Sequence, residues 1–600
     1  MRKWRFLLPL VAAVNGCATA PEAIDLPVIA PPEMAFEETA SQAADPAAPA
    51  AGSAMEAFAG ADARLASLAA RILEDVDAVP FEEFWSAYLD SSKVHTAVVD
   101  REQFQQAVEK LSDGEETDCA AMDWDKWTER NFFELEPHLA AQDCYEQLGE
   151  TDKAERHARA VQFILRGVLG GGDGKSPDTA YEIGILDHAE EILGLAGYQL
   201  LDAFLLPLGR GRALYYVVLA EDPDSGEQRH IYFDNQRAIH RILGANFPFG
   251  SLEGLYVGRV LQPLSEQSTA AKVGMGLYLE SIGKGEEAVQ YYLDAAALGS
   301  QMAQFRLGKA CLGEKLPMFS PEDCVDFLLS AAERGYADAM VALAHVYRES
   351  LGVERSEELF QQFMEAAQRR LAPGLAWYRL AGYYGGDRWA VEPETERQFL
   401  RRAAADGLPD AQYLLIRREQ GEWWEVEAAQ LLPQLAGPAR RGHRESGLAY
   451  ARRAFASASE RTPEELAAAR EFLDAALAVN SRAAHSLQGS LLESGLLGRR
   501  DFVAAERHFL GSPLQMGSQV GLARLHQQQR LPESTPEMAA LWYMMCASVE
   551  APECLYQLGK IFRSGEGIER DATLGRTLIL QAAEQGHKLA MVEIGQWDAD

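Results

Sequence analysis

Apolar residues recur every three to four positions over much of the chain, and the clearest run lies near its C-terminal end. From Cys546 to Ala590 the sequence reads CASVEAPECLYQLGKIFRSGEGIERDATLGRTLILQAAEQGHKLA. Leu555, Leu558, Ile561 and Phe562 form one stripe, which predicts a first helix with a buried face. Gly565 and Gly567 end it, because glycine enters the left-handed region at a helix C-terminus without steric cost. Asp571 suits the N-cap of a second helix, whose predicted stripe is Leu574, Leu578 and Ala582. Gly586 closes that helix, and Ala590 opens the next.

The end of this unit serves as a ruler: the small pair Ala582-Ala583, then Gly586, then Ala590, eight residues after Ala582. The same mark stands at Ala295-Ala296-Gly299-Ala303, Ala331-Ala332-Gly335-Ala339 and Ala403-Ala404-Gly407-Ala411. At Ala366-Ala367-Gly374 it recurs with Arg370 in the glycine's place. Weaker copies begin at Pro438 (with Gly442 and Ser446), Ala475 (with Ala483), Pro513 (with Gly517 and Gly521) and Cys546 (with Cys554). Successive starts lie 36, 35, 37, 35, 37, 38, 33 and 36 residues apart. Such a period predicts a solenoid, in which each unit buries its apolar face only against its neighbours. The LG…G-G…AAEQG…A frame resembles the Sel1-like repeat, the α/α relative of the tetratricopeptide repeat. That resemblance implies an α/α superhelical solenoid over residues 262–600.

Upstream the pattern changes twice. Residues 17–60 are rich in Pro, Ala and Glu without periodicity, and are expected as a disordered tether. Residues 61–169 are helical by pattern, and CYEQLGETDKAERHARAVQFIL within them is similar to a tetratricopeptide helix–turn–helix unit. Residues 170–261 differ. Glycines crowd Gly170–Gly174, Tyr181–Ile183 reads as a short strand and Ile185–Leu195 as a helix. Ala213–Glu221 and Gln228–Phe233 alternate around Asp222-Pro223-Asp224-Ser225-Gly226, which predicts a hairpin. The GDGKSPDTAYEI opening and the HIYFDN strand look similar to a domain of uncharacterised function found in bacterial envelope proteins, which brings no known chemistry. The expected fold is therefore mostly α: a repeat solenoid with a small α+β module inserted before it.

Charge narrows the partners. The chain has 56 basic and 90 acidic residues, a net charge of −34. It repels polyanions and has no basic patch, so nucleic acid is excluded as a partner. The start sets the compartment. Arg2, Lys3 and Arg5 precede a short apolar core, Phe6–Val14, so residues 1–16 read as a signal peptide. Val14-Asn15-Gly16-Cys17 resembles a bacterial lipobox, with Asn15 departing from the usual residue type. The resemblance implies that Cys17 is acylated, palmitate included, and becomes the first mature residue. Ala18, where Asp would retain a lipoprotein at the inner membrane, points to an outer-membrane anchor facing the periplasm. An ordinary secretory signal with an incidental Cys17 is the alternative. No later stretch is long and apolar enough to cross a bilayer.

The other six cysteines form three sequential pairs, Cys119/Cys144, Cys311/Cys324 and Cys546/Cys554, in a chain that reads as exported. Cys546 and Cys554 occupy the two small positions of the repeat mark, which should face each other across a helix junction. Their eight-residue spacing also resembles that of cysteine-rich Sel1-like proteins. Cys311 and Cys324 would tie the two helices of one repeat across the Gly313–Pro321 turn. Free buried thiols are the alternative reading.

Candidate chemistry is sparse. Gly172-Asp173-Gly174-Lys175-Ser176 ends like a P-loop, but Leu169 stands where the first glycine is required and Pro177 follows, so a glycine hinge is the better reading. The acidic cluster Asp113–Asp118 and Asp123-Trp124-Asp125 lack the alternation of a calcium loop and read as solvated loops. No spacing of His, Cys or carboxylates suggests zinc, and no nucleophile elbow is present. Trp423-Trp424 and Tyr383-Tyr384 sit in array helices and read as core aromatics, the alternative being display to a ligand on a concave face. No catalytic, cofactor or metal site is expected. The sequence points to a non-catalytic, lipid-anchored periplasmic scaffold that binds envelope proteins. A lipoprotein of such repeats resembles the periplasmic adaptors that help export exopolysaccharide such as alginate. The alternative is an enzyme or small-ligand receptor with its site in the α+β module.

Overall fold

The repeat mark is visible in three dimensions as a helix junction. The computed structural model describes residues 51–112, 119–209, 211, 213–242, 256–312, 319–385, 392–420, 426–548 and 550–597. At the first two marks the leading alanine and the alanine eight residues later, Ala295 with Ala303 and Ala331 with Ala339, are fully buried. The glycine between each pair, Gly299 or Gly335, turns the chain at φ +95° or +94°. A glycine is required there because a Cβ in the left-handed region meets the following carbonyl. Each turn thus ends one helix and lays the next against it at close range.

In chain order the upstream helices are α1 (Ala51–Glu74), α2 (Phe81–Asp90), α3 (Lys93–Ser112), α4 (Trp124–Arg130), α5 (Leu135–Leu148) and α6 (Thr151–Gly170). A mixed segment follows: β1 (Tyr181–Glu182), α7 (Asp187–Leu195), β2 (Gln199–Leu208), β3 (Ala213–Glu221), β4 (Gln228–Asp234) and α8 (Gln236–Ile242). In the array, odd-numbered helices are the first of each repeat. They are α9 (Thr269–Ser281), α11 (Gln301–Leu312), α13 (Ala337–Glu349), α15 (Leu375–Gly385), α17 (Pro409–Gln420), α19 (Arg444–Ala456), α21 (Arg482–Ser494), α23 (Met516–Gln527), α25 (Pro552–Ser564) and α27 (Lys588–Trp597). The second helices are α10 (Gly285–Ala297), α12 (Pro321–Glu333), α14 (Glu357–Gln368), α16 (Pro393–Ala405), α18 (Ala428–Arg440), α20 (Pro463–Ala478), α22 (Phe502–Leu510), α24 (Pro536–Ala547) and α26 (Ala572–Glu584). First helices pack on the second helix before and the second helix after, as a solenoid requires.

The ruler needs three corrections. Ala475 is exposed, and the buried pair is Ala476 with Ala484, one residue later. Asn480 takes the glycine's place there at φ 51°, as Glu550 does at φ 58° in the Cys546 mark. Gly374 is itself the turn residue ahead of α15, at φ +81°, and a Cβ there would stand 2.6 Å from the Ala403 carbonyl oxygen. The mark proposed at Pro513 does not exist, because Gly517 and Gly521 lie inside α23. The second stripe of the Cys546–Ala590 unit is also displaced. Gly575, Ile579 and Ala582 are buried, whereas Leu574 is exposed and Leu578 half-buried. The cause is close packing. A Cβ on Gly559 would stand 2.7 Å from the Gly575 carbonyl oxygen, and one on Gly575 2.6 Å from the Gly559 oxygen. The two helices cross backbone to backbone, which a count of large apolar residues does not register.

Upstream, α1 starts at Ala51, inside the stretch expected as tether, because Ala-rich sequence is itself strongly helix-forming. The paired α5 and α6 meet at Gly149, φ +75°, in the expected helix–turn–helix. The sheet has the order β1-β4-β3-β2, with β1 parallel to β4 and the other neighbours antiparallel. The β3–β4 hairpin lies where the sequence predicts it, whereas β2 has no counterpart in that reading.

The sheet is covered on both faces. Along β3, Leu214, Tyr216, Val218 and Ala220 join the core of the upstream helices, with Phe84, Trp85, Phe133 and Ile164. Tyr215 and Val217 point the other way, into a core shared with Tyr292, Ala295 and Leu307 of the array. Leu219 joins the adjoining array core with Leu328 and Leu343. Successive side chains of a strand point to opposite faces, so one strand serves both cores. The upstream helices, the sheet and the array are therefore joined through a single buried layer.

Candidate functional site

Polar contacts between the sheet segment and the array recur at successive repeat junctions. At the α10–α11 turn, Asp202 accepts hydrogen bonds from the Met302 amide (2.7 Å) and the Ser300 hydroxyl (3.0 Å). A bulge between Leu200 and Asp202 in the β2–β3 pairing sets this side chain's direction. Burial pushes the Asp202 carboxyl up, and these two hydrogen bonds oppose the shift. At the α12–α13 turn, Gln228 donates to the Gly335 carbonyl (2.8 Å) and accepts from the Ala337 amide (3.2 Å). Its own backbone N–H donates to Arg370 O, at 2.6 Å, at the α14–α15 turn.

Later junctions are gripped by ions. Arg444, at the start of α19, donates to Asp173 at 2.6 Å and to the Ser176 hydroxyl at 3.3 Å. Arg482, at the start of α21, pairs with Asp234 and donates to the Pro177 carbonyl. Its guanidinium also lies 5.8 Å from the centre of the Tyr215 ring. Burial pushes the Tyr215 phenol up to about 12, with Arg482 opposing. Beside Arg482, Asp178 accepts from the Ala483 amide (2.8 Å) and the Ser481 hydroxyl (2.5 Å). A carboxylate at these first-turn positions satisfies donors that the helix itself cannot.

Residues 172–176, read from the sequence as a hinge, belong to a locked turn that closes on Thr179. The amides of Asp173 and Gly174 both donate to Thr179 O, and the Thr179 hydroxyl bonds Asp173. Held in this way, Asp173 and Asp178 reach the array together. No phosphate-cradling loop is present here.

Between these clamps a cleft of about 870 Å³ stays open. One wall is the Lys175–Asp178 turn with Leu208, Ala213 and Tyr215, and the other is formed by the starts of α17, α19, α21 and α23. Leu448, Leu514, Met516 and Met545 make its apolar part. Met516 is 53% exposed, although it sits in a recess. Arg441 and Glu445 stand exposed at the rim. His443 caps α19 by accepting from the Ser446 amide (3.1 Å), its ring packs on Tyr413, and burial holds its pKa below the usual value.

The cysteines come together in the three sequential pairs. Cys119–Cys144, Cys311–Cys324 and Cys546–Cys554 are disulfides with Cα separations of 5.6, 5.4 and 5.8 Å. The second joins α11 to α12, and the third joins α24 to α25, where other repeats place alanines. Cys17, the Asp113–Asp118 cluster and Trp423-Trp424 lie outside the described residues. Asp123 caps α4, and Trp124 beside it is buried, so that stretch is not a solvated loop throughout. Tyr383 and Tyr384 are core, stacked on or edge-on to His345. Among the described residues no cluster of His, Cys, Asp and Glu is arranged to hold a metal ion, and no helix is long and apolar enough to cross a membrane.

Sequence reasoning did not single out Asp178, Asp202, Gln228, Asp234, Arg444 or Arg482. One signal was present. An aspartate within the apolar run LLDAFLLPL is costly to bury unless a partner awaits it.

The Sel1 repeat family matches residues 271–300, 301–336, 337–359 and 552–587. No curated protein matches the chain. Among solved structures, the chain is similar to a Sel1 repeat protein from Oxalobacter formigenes, with 17% identity over 51% of this chain and 89% of that one, at a TM-score of 0.34. It is also similar to a protective antigen of uropathogenic Escherichia coli strains displaying an SLR fold, with 18% identity over 79% of this chain and 89% of that one, at a TM-score of 0.34. Sel1 repeats generally mediate protein–protein contacts, as non-enzymatic scaffolds. Four units of the array that closes around this sheet, three at its start and one near its end, match the Sel1 repeat.

Proposed function

We propose that the protein is a non-catalytic scaffold of the bacterial envelope, anchored to the outer membrane through an acylated Cys17 and facing the periplasm. There it holds envelope proteins together, in an envelope or exopolysaccharide-export assembly. The signal-like start and the lipobox-like Val14–Cys17 support the location. The observation that carries the scaffold reading is the clasp itself. The array's junction turns already hold folded polypeptide, through Asp178, Asp202, Gln228 and the two arginines, and the adjoining junctions of α17 and α23 face an open cleft. A surface that binds polypeptide in one place has the chemistry to bind it in the next.

The test is a photo-crosslinking amino acid at Met516 in intact cells. Discrete adducts with a small set of envelope proteins, changed when Cys17→Ser mislocalises the chain, are the expected result. Absence of protein adducts, or an identical set from Cys17→Ser, contradicts the reading. A second reading, a small-ligand receptor, draws on the cleft volume, which falls within the few hundred to about 1,000 Å³ usual for such sites. Under that reading the same probe captures no protein.

A further inference from the structure

The last described helix, α27, repeats the face on which the earlier first helices receive their partners, and no described residue covers that face. In α9, α11, α21 and α25 a glycine marks where the following second helix crosses. A Cβ on Gly276 would lie 2.4 Å from Tyr292 of α10, and one on Gly308 2.6 Å from Leu328 of α12. On Gly489 it would lie 2.6 Å from Phe509 of α22, and on Gly559 2.7 Å from α26. Gly595 stands in α27 where Gly559 stands in α25, five residues after the junction alanine Ala590, as Gly559 follows Cys554. A Cβ on Gly595 meets nothing within 4 Å.

Its neighbours are equally bare. Leu555 and Tyr556 of α25 are 3% and 7% exposed, whereas Met591 and Val592, at the matching places in α27, are 55% and 61% exposed. The helix is nonetheless firmly seated. Ala590 is fully buried, His587 bonds Glu553, Arg563 pairs with Glu593, and Arg563 and Arg576 flank the Trp597 ring.

We propose that this face binds an α-helix of a partner protein, which takes the place of a second helix and lays a small residue and a β-branched or leucine side chain over Gly595. The interface continues one the molecule already makes repeatedly, and α26 is its template: Gly575 and Ile579 are the residues it sets against Gly559. An anionic bilayer is the wrong cover, because a chain of net charge −34 is repelled by it. The inference names a partner surface for the scaffold reading but does not depend on the cleft.

The probe is a fluorescent, end-blocked peptide copying residues 571–585, titrated by anisotropy against the full chain. Saturable binding is expected, weakened at least tenfold by Gly595→Leu and by Met591→Asp, and unchanged by Leu298→Asp, which alters an exposed leucine elsewhere. Gly595→Leu has open space around it, and its thermal midpoint, measured alongside, is expected to match or exceed wild type. Absence of binding, or equal binding to wild type and Gly595→Leu, overturns the proposal. So does a dimer of the wild-type chain, seen by light scattering, that Gly595→Leu dissolves, since the face is then used by a second copy. A failed cross-linking test at Met516 with a successful titration removes the cleft and keeps this face. The converse result removes this face and leaves the scaffold reading standing.

Discussion

The array meets the sheet in two ways. From α9 to α13 the joint is an apolar core: Val217, Tyr292, Ala295 and Leu307 pack together, with Asp202 and Gln228 satisfied inside or beside it. From α17 to α23 the joint is a pair of arginine clamps with a cleft between the two surfaces. The repeats on either side share one architecture. What differs is what the sheet segment offers them: apolar strand faces to the first group, and the 172–179 turn with the end of β4 at Asp234 to the second. A solenoid's surface therefore becomes core or open cleft according to the element laid against it. Apolar contact excludes water, whereas a polar clamp tolerates a gap.

That contrast fixes where substitutions act. Val217→Asp places a carboxylate with no partner in the apolar joint, and should cost more than about 4 kcal/mol. Denaturant unfolding should show the upstream helices and the first repeats losing structure together. Arg482→Ala leaves Asp234, whose side chain is 9% exposed, without its cation. A loss of about 2–3 kcal/mol is expected, confined to the clamp and read as faster proteolysis near residues 172–179 and 480–484 with little change in the main transition. Equal global losses from the two variants would erase the distinction drawn here.

Acid should separate the regions as well. His230, half-buried against Phe204 at the apolar joint, is held neutral by burial and by nearby Arg379 with a pKa of about 3, and His485 on the clamp side is held at about 4 by burial and His508. Both lie below the unfolded value of about 6.5. The unfolded chain therefore binds the extra protons, and stability falls as pH drops from about 6.5 towards 4. Glu191 acts in the opposite sense: burial raises it to about 7, so its contribution is present at low pH and is lost as pH rises through 7. His230→Gln should flatten the dependence of the urea midpoint between pH 4.5 and 6.5, while His485→Gln should flatten only local exchange near 480–510. The smallest effect concerns the covered and open glycines. Gly559→Ala forces a methyl against the Gly575 carbonyl and should cost about 1–3 kcal/mol, whereas Gly595→Ala should stabilise by up to about 1 kcal/mol.

The junction turns were legible in the sequence because left-handed backbone leaves few choices of residue. Gly299, Gly335, Gly407, Gly442 and Gly586 all hold that conformation. Where Asn480 or Glu550 adopts it instead, the mark fades, and a one-residue error at Ala475 follows. The helix crossing at Gly559 and Gly575 was hidden because close approach selects for missing side chains. The two-faced burial of β3 was available in the unbroken run LYYVVLA, which an eye set for alternation passes over. The clasp was out of reach for a different reason. Asp178 and Ala483 are 305 positions apart, and no periodicity links a turn to the repeat that curls back onto it. For the candidate site, the sequence offered the cysteine pairs and the frame of the array, but neither wall of the cleft.

The array closes around the sheet and is latched there by Arg444 and Arg482. Hydrogen–deuterium exchange of the full chain, wild type against Arg444→Ala/Arg482→Ala, tests it most directly. Without the two arginines, peptides covering 172–182 and those covering 440–447 and 480–486 should lose protection together, while 269–345 and β3 keep theirs. Unchanged exchange in both partners of the latch, or loss in only one of them, would contradict it.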